Sequence, residues 1–175
     1  MKKVFLFFIA IITIVLVAAA FLPKEFSAER SIEINQSNEI VYAYLHLLKN
    51  QENYSVWGKI DPKIKKSFKG IDGKVGFVST WKSKKESVGA GSQEIIKLVK
   101  NQRIDTKLRF TSPFESESDS RILTQKINKS KTKVSWRLKG SFPYPVNIFL
   151  LITDMDKELG KELVNGLKNL KLVLK

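Results

Sequence analysis

The chain has 175 residues, with 31 Lys and Arg against 17 Asp and Glu, a single His and no Cys. The missing cysteine excludes a disulfide-stapled scaffold, a cysteine-ligated metal centre and a thiol nucleophile. A formal net charge of +14 favours an anionic partner, be it a polyanion, an acidic lipid surface or an acidic protein, while 11 Phe, 4 Tyr and 3 Trp argue against disorder and require a packed core.

After Met1-Lys2-Lys3, nineteen residues from Val4 to Leu22 carry no charge, and Pro23-Lys24-Glu25 ends the run. A helix of that length reaches about 28 Å at about 1.5 Å per residue, close to the roughly 30 Å of a bilayer's hydrocarbon layer. The run predicts a transmembrane anchor over residues 1–23. Ala18-Ala19-Ala20 keeps a cleaved signal peptide open as the alternative, although the apolar stretch of such a peptide is usually about 7 to 15 residues. Lys2 and Lys3 on the short side predict a cytoplasmic N-terminus, with the second unit, residues 24–175, outside the cytoplasm.

In 26–34 the even positions Phe26, Ala28, Ile32 and Ile34 are apolar and the odd ones polar, the pattern of a half-buried strand interrupted at Arg30. Asn35-Gln36-Ser37-Asn38 supplies capping side chains for a helix over 38–49, and a short helix or turn follows through Tyr54 and Trp57. Beyond Asp61-Pro62 the period becomes two, predicting strands at 64–69, 75–82, 92–100, 103–111, 120–127 and 131–140. Turn residues separate them, among them Ile71-Asp72-Gly73, Gly89-Ala90-Gly91 and Asn128-Lys129-Ser130, so successive antiparallel hairpins are the simplest topology. Residues 112–120 read as a polar, acidic loop. Apolar and basic residues alternate in 103–111 and 131–140, which predicts one apolar and one basic sheet face. From Ile148 to Leu174 apolar residues recur in steps of three and four, the mark of one long amphipathic helix. Gly160 and Gly166 within it cost about 1 kcal/mol each in helix propensity and point to close packing or to a space kept open.

The order of these elements is that of a helix-grip fold, an α+β architecture in which a curved antiparallel sheet of about seven strands wraps a long C-terminal helix. Particular residues sharpen it: Tyr54-Ser55-Val56-Trp57, Phe68-Lys69-Gly70, Val75-Gly76, Thr80-Trp81, Val88-Gly89-Ala90-Gly91, Val134-Ser135-Trp136 with Gly140, Asp154, Lys157-Glu158-Leu159-Gly160 and Gly166-Leu167. Over about residues 24–175 this series resembles the START-like (SRPBCC) superfamily, and within it the polyketide cyclase/dehydrase branch. Trp57 departs from that pattern, lacking the prolines that often flank the corresponding tryptophan. The resemblance implies a hydrophobic cavity between sheet and helix, and it implies no shared catalytic residue.

A lining of Tyr54, Trp57, Trp81, Thr106, Phe110, Thr124, Trp136 and Phe149 is expected for that cavity, the aromatics giving apolar wall and the hydroxyls orienting a ligand. Lys131, Lys133, Arg137 and Lys139 are expected to form a basic face against anionic headgroups. His46 is the only histidine and lies among apolar neighbours, so no metal site, cofactor or catalytic residue is assigned, and no spacing singles out an acid–base pair among the carboxylates Glu94, Asp105, Glu115, Glu117, Asp119, Asp154 and Glu158. Nucleic acid is disfavoured as a partner because aromatics and bases alternate to opposite faces. The first functional reading is a single-pass membrane protein whose domain binds a hydrophobic small molecule or lipid. The alternatives are a cyclase or dehydratase using cavity carboxylates and tyrosine, and an interaction module with a filled interior.

Overall fold

A computed structural model describes residues 2–175. Helix α1 (Lys2–Phe21) leads into strand β1 (Glu25–Ile34), followed by α2 (Asn38–Leu45), a 3-10 turn at Leu48–Asn50, α3 (Gln51–Tyr54) and a second 3-10 turn at Trp57–Lys59. Six strands come next: β2 (Lys65–Lys69), β3 (Val78–Lys82), β4 (Ala90–Val99), β5 (Arg103–Ser112), β6 (Ser116–Asn128) and β7 (Lys131–Ser141). A 3-10 turn at Val146–Ile148, α4 (Phe149–Ile152) and α5 (Met155–Val173) close the chain. All neighbouring strands are antiparallel, in the order β1-β7-β6-β5-β4-β3-β2, so the hairpin succession holds and β1 adds to the far edge beside β7.

Local chemistry sets the helix starts. The Ser37 hydroxyl accepts from the Ile40 amide at the head of α2, and the Asp154 carboxylate accepts from the Lys157 amide at 3.0 Å at the head of α5. The helix expected from Ile148 to Leu174 is therefore two. Thr153 takes an extended conformation, and Asp154 caps a fresh start rather than sitting within a first turn. The first helix is likewise shorter than 38–49, because the chain turns at His46 to bring Leu48 into a small second core with Phe77 and Ile95. The Asp72 carboxylate holds that turn by accepting from the amides of Leu48 and Lys49.

Strand β6 begins four residues before the expected 120, so the acidic loop is partly sheet. Glu117 and Asp119 point outward there and meet Arg109 and Lys107 of β5, with Lys107 Nζ 2.6 Å from Asp119. Strand pairing thus converts an acidic run into half of an ion-pair lattice. The centre of that lattice is Asp105, buried between Arg103 and Arg121, each donating from Nε at 2.8 and 2.9 Å. Burial pushes the Asp105 carboxyl up, but the two guanidinium hydrogen bonds and their charges outweigh it and leave the pKa below the ordinary value. A depressed folded pKa adds stability above the unfolded carboxylate value, and that stability is lost as the pH falls through the folded pKa. Asp105→Asn is accordingly expected to flatten the fall in melting temperature of the 24–175 fragment below about pH 4. Acid melts of the two proteins with equal slopes would refute this.

The core lies between α5 and the β1, β7 and β6 part of the sheet, built from Ile34, Val134, Trp136, Leu163, Leu167 and Leu170 under the cover of Val41 and Leu45 from α2. Trp136 is 1% exposed, with its Nε1 donating to Ser120 Oγ at 3.0 Å. Both helix glycines serve close packing. A Cβ at Gly166 would lie 2.9 Å from the Trp136 ring, and one at Gly160 would overlap the Arg30 guanidinium. Arg30, the residue that interrupts the apolar rhythm of β1, reaches under α5 to form a two-pronged pair with Asp156, both bonds 2.9 Å.

Candidate functional site

The inward side of β2 to β5 is where the sheet lacks a helix roof. Helix α5 packs against β1, β7 and α3, and the inward side of the opposite half is a shallow trough, buried at Gln93, Ile95 and Thr106 and half-buried at Trp81, Leu108 and Phe110. Trp81 of β3 and Phe110 of β5 meet edge to face across Gly91 of β4, ring centroids 5.6 Å apart, and both stay half-buried. Gly91 makes this meeting possible, because a Cβ there would sit 2.7 Å from the Trp81 ring. Trp81 is oriented by its Nε1, which donates to the Val88 carbonyl at 3.3 Å. The next inward row is polar, with Gln93 Nε2 donating to Thr106 Oγ1 at 2.9 Å. Leu108 continues the apolar wall.

At the β2 edge lies an open groove of about 510 Å³, lined by Lys49, Glu52, Gly58, Asp61, Ile64, Lys66 and Phe68 among others. Lys66 pairs in register with Trp81 and makes an ion pair of 3.0 Å with Glu52. Lys49 places its ammonium 4.6 Å from the centre of the Phe68 ring. One unpaired cation, Lys49, and the Lys66–Glu52 pair therefore stand at one end of an aromatic surface.

The eight residues expected to line one cavity fall into separate places. Trp81, Phe110 and Thr106 belong to the trough. Trp57 stands between it and the core, half-buried and edge-on to Trp136 at 5.9 Å. Tyr54 and Trp136 are core, packed edge to face at 5.7 Å. Burial pushes the Tyr54 phenol up, so it holds its proton throughout the neutral range. Thr124 is buried beside Val134, with no hydrogen-bond partner for its hydroxyl. Phe149 is 52% exposed on α4, because the helix expected through it stops at Ile152 and never reaches the sheet's inward face. His46 stacks on Tyr42 at 5.6 Å, a packing role.

The basic face also needs correction. Lys131, Lys133, Arg137 and Lys139 do point outward from β7, but β1 lies alongside and puts Glu25, Glu29 and Glu33 on the same surface. Lys139 pairs with Glu25 at 2.8 Å, Lys131 with Glu33 at 3.3 Å, and Arg137 donates to Ser27 Oγ. Two of the four cations are thus neutralised by a strand about a hundred residues away in sequence, while Lys133 and Arg137 make no ion pair among the described residues. More unpaired charge gathers around β2 and β3, where Lys59, Lys63, Lys65, Lys69, Lys82 and Lys84 stand outside the ion pairs found among the described residues.

The carboxylates of β4, β5 and β6 (Glu94, Asp105, Glu117 and Asp119) are all outward and paired with Arg or Lys. The inward face of the strands carries no carboxylate among the described residues; the carboxylates of the adjoining groove are Glu52, paired with Lys66, and Asp61, which accepts from the Lys63 amide and the Ser83 hydroxyl. Lys49 and Lys66 were missed at the sequence level, where each reads as one lysine among many. Only the pairing of β2 with β3 brings Lys66 beside Trp81.

No protein-family profile matches the chain, and no curated protein sequence does. Solved structures do match in three dimensions. A hypothetical protein from Helicobacter pylori superposes with a TM-score of 0.64 at 11% identity, over 86% of this chain and 88% of that one. Truncated norcoclaurine synthase from Thalictrum flavum does so at 0.60 and 12% identity, over 86% and 94%, and Ara h 8.0201 at 0.53 and 11%, over 86% and 97%. Identities this low carry architecture and nothing finer: the chain has the helix-grip fold that these structures share.

Proposed function

We propose that the protein is a membrane-tethered helix-grip domain that holds an apolar or amphipathic small molecule, such as a lipid, on the inward face of β2 to β5. The observation that carries the reading is the half-buried Trp81 and Phe110 pair, which lies outside the packed core on the half of the sheet away from α5. Apolar surface of this kind gains about 25 cal/mol for each Å² that a ligand covers. Lys49 at the β2 end, which makes no ion pair among the described residues, suits an acidic head group. Helix α1, with a mean hydropathy of 3.1 and 6% of its span buried, is long and apolar enough to cross a bilayer, and as a tether it would hold the trough beside a source of lipid.

Oleate titrated into the 24–175 fragment is expected to change tryptophan emission saturably. The fragment keeps the core, to which α1 adds only Ala19. Trp81→Ala is expected to weaken oleate binding roughly tenfold, because losing about 60 Å² of apolar contact costs about 1.5 kcal/mol. A folded fragment that yields no extractable apolar molecule and shows no saturable response would refute the binding reading. That result would favour an interaction module instead, which the solid packing of Tyr54 and Trp136 beneath α5 also supports.

A further inference from the structure

The longest uncharged stretch outside α1 runs from Gly140 to Thr153, in a chain where 27% of residues are charged, and its part from Phe142 onward lies beyond β7. The segment from Phe142 to Thr153 joins β7 to α5, and much of its apolar surface faces out: Ile152 is 80% exposed, Leu151 62%, Phe149 52%, Tyr144 47% and Val146 42%. Such a run is unexpected in a connection that only has to cross between two elements, because water-facing connections favour polar residues.

Its position is fixed against the end of α1 by three contacts. The Asn147 side chain is fully buried, and its Nδ2 donates to the carbonyls of Ala19 at 2.7 Å and Leu22 at 3.3 Å. The Phe142 amide donates to the Lys24 carbonyl at 2.9 Å. The Phe26 and Phe142 rings pack with centroids 5.1 Å apart. The last carbonyls of a helix have no partners within it, and in lipid no water supplies one. Asn147 meets that need from another part of the chain, and so carries Val146, Phe149 and Ile152 to the place where α1 ends. The neighbouring carboxylates are occupied within the protein, Asp154 by the Lys157 amide and Asp156 by Arg30.

We propose that the segment from Phe142 to Thr153 is a second membrane contact, laying Tyr144, Val146, Phe149, Leu151 and Ile152 into the headgroup boundary of the leaflet from which α1 emerges, so that the domain stands with the Ser141 end of β7 towards the bilayer. The occupant is a lipid surface because the apolar patch is continuous with the exposed apolar side of α1, whose last residue, Phe21, is 86% exposed. The proposal rests on α1 being a membrane span, and its test reports on the two separately. Interfacial amphipathic helices bury their apolar face about 5–10 Å into the headgroup boundary, and the same depth is expected for this apolar surface.

The chain has no cysteine, which allows single-site labelling of the full protein. Val15→Cys, Ile152→Cys and Ser130→Cys would each be labelled with an environment-sensitive fluorophore and reconstituted in vesicles of phosphatidylcholine with one quarter phosphatidylglycerol. Ser130 lies in the turn before β7, at the opposite end of that strand from the segment. Lipids carrying a nitroxide high on the acyl chain are expected to remove roughly half the emission at Ile152, at the depth of about 5–10 Å, while deeper nitroxides quench Val15 and neither touches Ser130. Quenching at Val15 without quenching at Ile152 overturns the second contact and leaves the tether. Absence of quenching at Val15 overturns the span and the contact with it. Protection of Ile152 from aqueous iodide without nitroxide quenching means burial against a second copy or another protein and overturns the lipid assignment, and quenching at Ser130 overturns the orientation.

Discussion

Replacing Trp136 with alanine is expected to remove about 3 to 5 kcal/mol of stability, the range for deleting a fully buried large aromatic. The indole is surrounded: Tyr54 and Trp57 stand edge-on to it, Gly166 brings α5 against its face, and Ser120 accepts its N–H. The truncated site cannot collapse easily, because α5 is fixed at its head by the Arg30–Asp156 pair and near its other end by Asn169 donating to the Tyr54 carbonyl at 3.1 Å. Each kcal/mol corresponds to about 2–4 °C for a chain of this size, so the melting temperature of the 24–175 fragment should fall by roughly 10 °C. Trp136→Phe keeps most of the ring and should lose less than half as much. A fall of only a few degrees for the alanine variant would mean that Trp136 is not the centre of the core.

The second large effect is expected at Gly166. Judged by helix propensity alone, any ordinary residue there should stabilise α5, alanine by about 1 kcal/mol. The opposite is expected, because the first added carbon already meets the Trp136 ring at 2.9 Å and a fully buried indole held by a hydrogen bond has nowhere to turn. Gly166→Leu should cost about 3 kcal/mol or more, at or beyond the upper end for overpacking a tight core, with Gly166→Ala a smaller net loss. Thermal melts of the three proteins would decide it. A stabilised leucine variant would show a hollow beside Trp136 that accepts the side chain, and would return the ligand to the space beneath α5.

These two residues mark where reading the sequence stops. Gly160 and Gly166 signal that something lies close to α5 or that a space is kept, and both meanings fit the same letters. The structure answers with Arg30 at one and Trp136 at the other, residues from β1 and β7 that no local pattern connects to the helix. The site divides in the same way. Trp81, Thr106 and Phe110 were legible as inward residues from their period of two, whereas the assignment of Tyr54 and Trp136 to the core, and of Phe149 to the surface, depended on which side of the sheet α5 leans towards and on where the last helix begins. Asn147 carried a faint signal, a lone amide in an apolar run, without an indication of its partner.

Hydropathy over a single segment determined α1, and alternation with turn residues determined the strands from β2 to β7 to within a few residues, because each depends on side chains close together along the chain. Tertiary structure decided which charges meet, which glycines are filled against and which half of the sheet stays uncovered. Those outcomes depend on pairs such as Glu25 with Lys139 or Arg30 with Asp156, more than a hundred residues apart, whose proximity exists only after β1 has paired with β7.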